Sequence, residues 1–361
     1  MFWSWALLLV PLSVAFKYLF HAPPSVVFIA SALAIIPLAE WIRRATDHIA
    51  QTAGAAIGGL LNVTFGNLAE LVIALFVLAQ GERVAVKGQI TGSIIGNSLL
   101  GLGLAIVVGS WGREKQVFKR ERAGQLGSLL ILSTIALLVP ALFDYTERGI
   151  KATPNAGDLD ERLSLGVSVV LILTYIANLV YTFVTHRNVF EFSDDKGDSE
   201  HDKAPWSMGK SLGVLAGATA LISLEAEMVS GALEATAKGL GLTTFFLGVM
   251  VLAVIGNASE YVSALYYARK DRMGVVLSIT VGSTIQVALF VAPLLVIFSH
   301  FTGHPMNLVF SNPLELIAVA GVAFAVNAIA QDGETTWFEG VLLLAIYLLL
   351  GIAFFYATPP S

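Results

Sequence analysis

Apolar stretches of membrane-spanning length recur along the whole chain, and few folds tolerate them. A helix needs about 20 mostly apolar residues to cross a bilayer core of about 30 Å. Eleven candidate stretches fit that requirement, with predicted limits 3–20, 25–52, 55–80, 86–111, 123–143, 163–186, 208–238, 242–269, 273–299, 310–330 and 336–357. Charged residues make up 13% of the 361 residues and apolar ones 56%. A soluble domain carries about twice that charge, so a soluble globular fold is excluded. The fold class is an all-α integral membrane protein with eleven transmembrane helices. Met1 to Phe20 lacks a basic leader and a small-residue cleavage site, and reads as a retained helix rather than a signal peptide. There is no cysteine, hence no disulfide, thiolate metal site or thiol redox centre. Nothing suggests nucleic-acid binding; the lipid bilayer is the obvious partner.

Loop charges predict the orientation. The loops after predicted helices 2, 4, 6 and 8 carry fourteen of the 21 Lys and Arg residues, and the opposite side carries seven. This bias places the N-terminus in the cytoplasm and the C-terminus outside. The longest cytoplasmic loop holds Glu191, Asp194, Asp195, Asp198, Glu200 and Asp202 within twelve residues. It is either a regulatory cation-binding segment or a solvated linker; its spacing does not fit an EF-hand. The short termini point weakly to a prokaryotic cell membrane rather than a vacuole.

Two motifs stand 190 positions apart: Gly66-Asn67-Leu68-Ala69-Glu70 and Gly256-Asn257-Ala258-Ser259-Glu260. The same offset sets Gly92-Ser93 on Gly282-Ser283, and an offset of 187 sets Ala39-Glu40 on Ala226-Glu227. Helices 2–6 therefore repeat as helices 7–11. Five is odd, so the second copy enters the membrane inverted, as in many secondary transporters with a midplane site. The predicted organisation is an extra N-terminal helix (1–24), a first five-helix repeat (25–186), an acidic linker (187–207) and a second five-helix repeat (208–361).

A glutamate at membrane depth costs roughly 2.5–3.5 kcal/mol on insertion scales, so a pair at equivalent positions calls for a use. Asn and Glu three apart face one side of a helix, and the motif glycine loosens the turn beside them. The next helices add Ser93 and Asn97, four apart, and Ser283 and Gln286, three apart, beside Thr284. Glu70, Glu260, Asn67, Asn257, Ser93, Asn97, Ser283 and Gln286 form an all-oxygen set that suits Ca²⁺, with Glu70 and Glu260 as the charged metal ligands. A polar helix–helix contact is the structural alternative. Without Cys or buried His, zinc and copper are disfavoured; His300 and His304 read as surface histidines. Two ionised carboxylates left bare in low dielectric would be costly, so the pair should hold either metal or protons. If only those two states reorient, the outcome is Ca²⁺/H⁺ exchange. Glu40 and Asp47 on helix 2, and Glu227 and Glu234 on helix 7, lie on single helical faces. They either line two water-filled access paths or snorkel at the interfaces.

These motifs resemble those of the cation/proton exchanger (CAX) family within the calcium/cation antiporter superfamily. The resemblance covers nearly the whole chain. It is carried by Gly59-Leu60-Leu61-Asn62-Val63-Thr64-Phe65 running into the first motif, by the second motif, and by Gly92-Ser93 and Gly282-Ser283. It implies eleven helices, an acidic cytoplasmic linker, and glutamates Glu70 and Glu260 that alternate between metal and proton. Sodium/calcium exchangers differ: their Gly-Thr-Ser-x-Pro-Glu pattern is absent, and the 282–287 segment has no acid. The sequence thus predicts a secondary antiporter for Ca²⁺ or a similar divalent cation, with no cofactor and no enzyme activity. One bundle would shift around a fixed site, with Gly54, Gly241 and the motif glycines as flexing points. The alternatives are a sodium-coupled or broader divalent exchanger, an intramembrane hydrolase using paired carboxylates, and a passive channel. A homo-oligomer is compatible with the sequence but not specified by it.

Overall fold

The computed structural model describes residues 5–53, 65–150, 156–185, 206–310 and 312–357. The acidic linker up to residue 205, Gly54 and the Gly59–Thr64 part of the first motif stretch lie outside these residues. Helical apolar stretches follow in the predicted order: α1 (Leu9–Tyr18), α2 (Pro24–Ala53), α3 (Leu68–Ala79), α4 (Arg83–Gly109), α5 (Arg120–Ile150) and α6 (Ala156–Val180). After the linker come α7 (Met208–Leu240), α8 in two arms (Thr244–Gly256 and Ala258–Arg269), α9 (Met273–Phe301), α10 (Pro313–Asp332) and α11 (Trp337–Tyr356). Among the described residues eight of these are long and apolar enough to span a bilayer, and the bent α8 makes nine. The described residues thus account for eight or nine of the eleven expected spans. As described, α1 has 10 residues and α3 has 12, about 15 and 18 Å of helix.

Burial sorts the helices into layers. The apolar stretches of α4 and α9 are 83% and 67% buried inside the protein, against 22% for α6 and 28% for α11. So α4 and α9 are central, and α6 and α11 turn their apolar faces outward. The two halves pack in matching pairs: α7 on α3 as α2 on α8, and α11 on α4 as α6 on α9. The long α2 and α7 lie against each other, and α1 packs mainly on α2. Lipid is as apolar as leucine, so close helix packing relies on small residues. A Cβ on Gly92 would collide with the backbone of Val249 and with Ala253, and one on Gly248 with the Ala85 carbonyl. These glycines let α4 and the first arm of α8 meet backbone to backbone.

Loop contacts separate two faces. After α4, Gln116–Val117 (β1) pairs antiparallel with Glu334–Thr335 (β2), which follows α10. Lys115 bonds Glu334 at 2.6 Å, and Gln116 donates to the Ala268 carbonyl at the end of α8. The hydrogen-bonded Glu334 carboxylate holds the exposed Lys115 ammonium above the usual lysine range. On the other face Arg83 and Lys87 donate to Pro305 and Asn307 after α9, while Glu161 meets His300 at 2.8 Å. His300 and His304 are exposed, as surface histidines should be.

Candidate cation site

Both motif helices break at asparagine rather than at the glycine before it. Asn67 has φ −97° and ψ 18°, and Asn257 has φ −96° and ψ 5°. These values lie near the sparsely allowed bridge region. The arms of α8 meet at 55° across Asn257. Each break starts a new helix with its motif glutamate in the first turn. On the neighbouring helices, π-helical turns follow the Gly-Ser pairs at equivalent places, Gly96–Gly101 in α4 and Val287–Val291 in α9. Such turns re-aim side chains and recur at functional sites.

The eight residues singled out in the sequence converge on one cluster. Ser93 donates to Glu70 Oε1. At the same spacing in the second half, Ser283 donates to Glu260 Oε1 at 3.0 Å. Asn257 Nδ2 donates to Glu70 Oε1 and lies 3.1 Å from Ser93 Oγ. Asn97 Nδ2 donates to Asn257 Oδ1 at 2.8 Å and to Ser283 Oγ at 3.0 Å. Asn67 donates to Gln286 Oε1 at 2.8 Å, and its Oδ1 lies 2.9 Å from Ser283 Oγ, where it competes with Glu260 for the one Ser283 hydrogen. A continuous chain, Glu70–Asn257–Asn97–Ser283–Glu260, therefore joins the two carboxyls.

Three oxygens in this cluster have no hydrogen-bond partner among the described residues: Glu70 Oε2, Glu260 Oε2 and Asn97 Oδ1. A buried acceptor without a donor is costly. All three would be satisfied by a hard cation, and the two carboxyl oxygens equally by protons. The set fits a divalent ion as cargo, since it offers two charges and neutral amide and hydroxyl oxygens. Among the described residues no group of three or more acidic or histidine side chains forms a candidate metal centre.

Gly256 makes room for this arrangement, because a Cβ there would lie 2.5 Å from Glu70 Cγ, whereas one on Gly66 meets nothing within 4 Å. Gly241, a predicted flexing point, is the left-handed C-cap of α7 with φ 68°. Thr284 stands outside the cluster and pairs with Ser98 at 2.9 Å. Sequence reasoning missed Gln89. It is 2% exposed, donates to the Glu70 carbonyl at 3.1 Å, and leaves its own Oε1 without a partner. The signal is present in the spacing, since Gln89, Ser93 and Asn97 recur every four residues on one face of α4.

The predicted access-path acids stand apart from the cluster. Glu40 is 2% exposed and is held by Arg43 at 2.9 Å and Arg44 at 2.7 Å, while Arg43 also bonds Asp47. Glu227 and Glu234 are exposed, and Glu234 pairs with Lys238 at 2.7 Å. A cavity of about 1030 Å³ lies between α5, α6 and α9; it reaches from Glu121 and Arg122 to Gly282 and Gln286. Gln286 is thus both a wall of that cavity and the partner of Asn67.

A family model described as sodium/calcium exchanger protein matches residues 24–184 and 210–356. The chain belongs to this family. It is 40% identical over 361 residues to the Ca²⁺/H⁺ antiporter of Aphanothece halophytica, covering 97% of this chain and 95% of the relative. It is 40% identical to the Ca²⁺/H⁺ antiporter ChaA of Bacillus subtilis (strain 168), covering 96% of each. The solved structure of YfkE matches with a TM-score of 0.81 at 36% identity, over 96% of this chain and 97% of that one. The family resemblance read from the motifs is borne out, and within the exchanger family the chain sits with the Ca²⁺/H⁺ antiporters. It is a multi-pass membrane transporter, and the intramembrane hydrolase reading falls away.

Proposed function

We propose that this chain exchanges Ca²⁺ for protons across a membrane, with Glu70 and Glu260 alternately taking metal and protons. The observation that carries the reading is the pair of unpartnered carboxyl oxygens in one buried all-oxygen cluster. Asn67, Asn257, Ser93, Asn97, Ser283 and Gln286 supply or orient the neutral oxygens. Ionised together and bare, the two carboxylates would repel in low dielectric. Loaded with one Ca²⁺ or two protons, they are neutral. Restricting reorientation to those two loads makes exchange obligatory, with no cofactor beyond the cargo ions.

The two halves act as inverted repeats around this fixed site, with α1 outside them and the acidic linker joining them. The basic-residue bias supports a cytoplasmic N-terminus and linker, and the bacterial relatives support a prokaryotic cell membrane. Under that orientation the cavity ending at Gln286 opens from the cytoplasmic face, because Glu121 and Arg122 adjoin a basic loop. Glu227 and Glu234 lie along the outer approach. Glu40 and Asp47 lie along the inner one, where their bonds to Arg43 and Arg44 must part before they attract a cation.

Uptake of radiolabelled Ca²⁺ into proteoliposomes with an imposed pH gradient tests this. Uptake should follow the gradient and move protons the other way. Glu70→Gln and Glu260→Gln should each abolish it while the protein stays folded. Uptake driven by a sodium gradient and indifferent to pH would move the assignment to sodium coupling.

A further inference from the structure

A third buried carboxyl lies apart from the exchange cluster. Glu225 is fully buried on α7, with seventeen residues of the helix before it and fifteen after it. At about 1.5 Å per residue it lies about 22–26 Å from either helix end, near the middle of the bilayer. Its hydrogen bond runs to a hydroxyl. Ser13 of α1 lies 2.7 Å from Glu225 Oε1, while Glu225 Oε2 and Ser31 Oγ of α2 are buried with no hydrogen-bond partner among the described residues. Ser13 Oγ also lies 2.7 Å from the carbonyl of Val10.

Ser13 has one hydroxyl hydrogen and two acceptor lone pairs. It cannot donate to both Val10 and an ionised Glu225. Both short contacts are satisfied together only when the carboxyl carries the hydrogen: Glu225 donates to Ser13, and Ser13 donates back to its own helix, a common use of serine in a helix. Among the described residues no charged side chain of the packed helices forms an ion pair with Glu225. Lys17 sits at the end of α1. On α2, Glu40, Arg43, Arg44 and Asp47 bond one another, and His48 stacks on Trp206. Glu70 on α3 is engaged by Ser93 and Asn257. On α7 itself, Glu234 and Lys238 pair together, Lys210 covers Trp206, and Glu227 points to the exposed side. Among the described residues no hydrogen bond links Ser13 or Glu225 to the exchange cluster.

We propose that Glu225 is a resident proton site: a carboxylic acid that keeps its proton through the transport cycle and uses it to tie α1, the helix outside the repeats, to the α2–α7 pair. The proposal concerns proton occupancy at Glu225 and stands whether or not the exchange reading does.

Infrared difference spectra of the reconstituted protein against E225Q test it. At about pH 6, well above the ordinary glutamate range, a protonated-carboxyl C=O stretch should be present in the wild type and missing in E225Q. Ca²⁺ should leave it unmoved. A carboxylate band in its place overturns the proposal. So does a proton that leaves when Ca²⁺ is added, because Glu225 would then take part in exchange. E225Q keeps a donor for Ser13, so its uptake rate and thermal midpoint should match the wild type. A Ser13→Ala variant offers a route that does not depend on E225Q folding: its C=O band should move to higher frequency as the acid loses its acceptor, and an unmoved band overturns the proposal.

Discussion

Glu70 and Glu260 occupy equivalent places in the two halves, yet the protein holds them differently. Glu70 is 2% exposed, bonded by Ser93 from its own half and by Asn257 from the other, and Gly256 closes over it. Glu260 is only partly buried and takes its hydrogen bond from Ser283. The matching asparagine, Asn67, is diverted to Gln286 and Ser283. One position accounts for this. Gln286 falls where the first half has Gly96, and its amide oxygen captures Asn67. The two halves thus duplicate the chemistry without duplicating its environment. The half with the extra amide has the looser carboxylate, and that amide, Gln286, lines the cavity that α5 and α6 of the other half also wall.

Paired substitutions can break this comparison. The largest difference should come from the asparagines. Asn257→Ala strips a donor from Glu70, and a bond to a charged group is worth about 1.5–3 kcal/mol. Ca²⁺ affinity should fall roughly ten- to hundredfold at about 1.4 kcal/mol per decade. Asn67→Ala loses neutral bonds of about 1 kcal/mol and should cost roughly fivefold. Equal losses in equilibrium Ca²⁺ binding would show that the halves are interchangeable.

The motif glycines give a smaller contrast. Gly256→Ala overpacks against Glu70, at about 1–3 kcal/mol, and should slow uptake roughly tenfold. Gly66→Ala meets open space and should stay within about twofold. Initial-rate transport assays decide, and a Gly66→Ala defect as large as the other would assign both glycines to bending rather than clearance. The smallest effect belongs to Gln89→Leu. It removes one neutral bond to the Glu70 carbonyl, about 1 kcal/mol, so Ca²⁺ affinity should drop a few-fold with no change on the Glu260 side. An unchanged affinity would leave Gln89 as packing alone.

Much of the site is legible in the amino-acid order alone. Carboxylates and amides are rare in apolar helices because each costs free energy there, so the few present mark the cluster, and a repeat offset of 190 pairs them. The hydrogen-bonded cluster of eight residues is legible for that reason. Glu225 is not. It lies two residues before Glu227, and a helical pattern cannot say which of two nearby acids turns inward when the whole stretch is apolar. The acids of α2 are visible as a stripe, but their capture by Arg43 and Arg44 depends on rotamers. Gln89 escapes notice although its spacing to Ser93 is regular, because a single amide near a helix end is common enough to pass as surface.

The sequence by itself determined the membrane class, the order of the helices and the inventory of polar groups, because hydrocarbon admits only satisfied backbone and penalises every charge. Only the tertiary structure decided how that inventory is shared: where the motif helices break, which asparagine serves which glutamate, and which buried carboxyl keeps a hydroxyl for company. Those outcomes turn on ångström-scale choices between competing hydrogen-bond partners from different helices, and spacing along one chain carries no record of them.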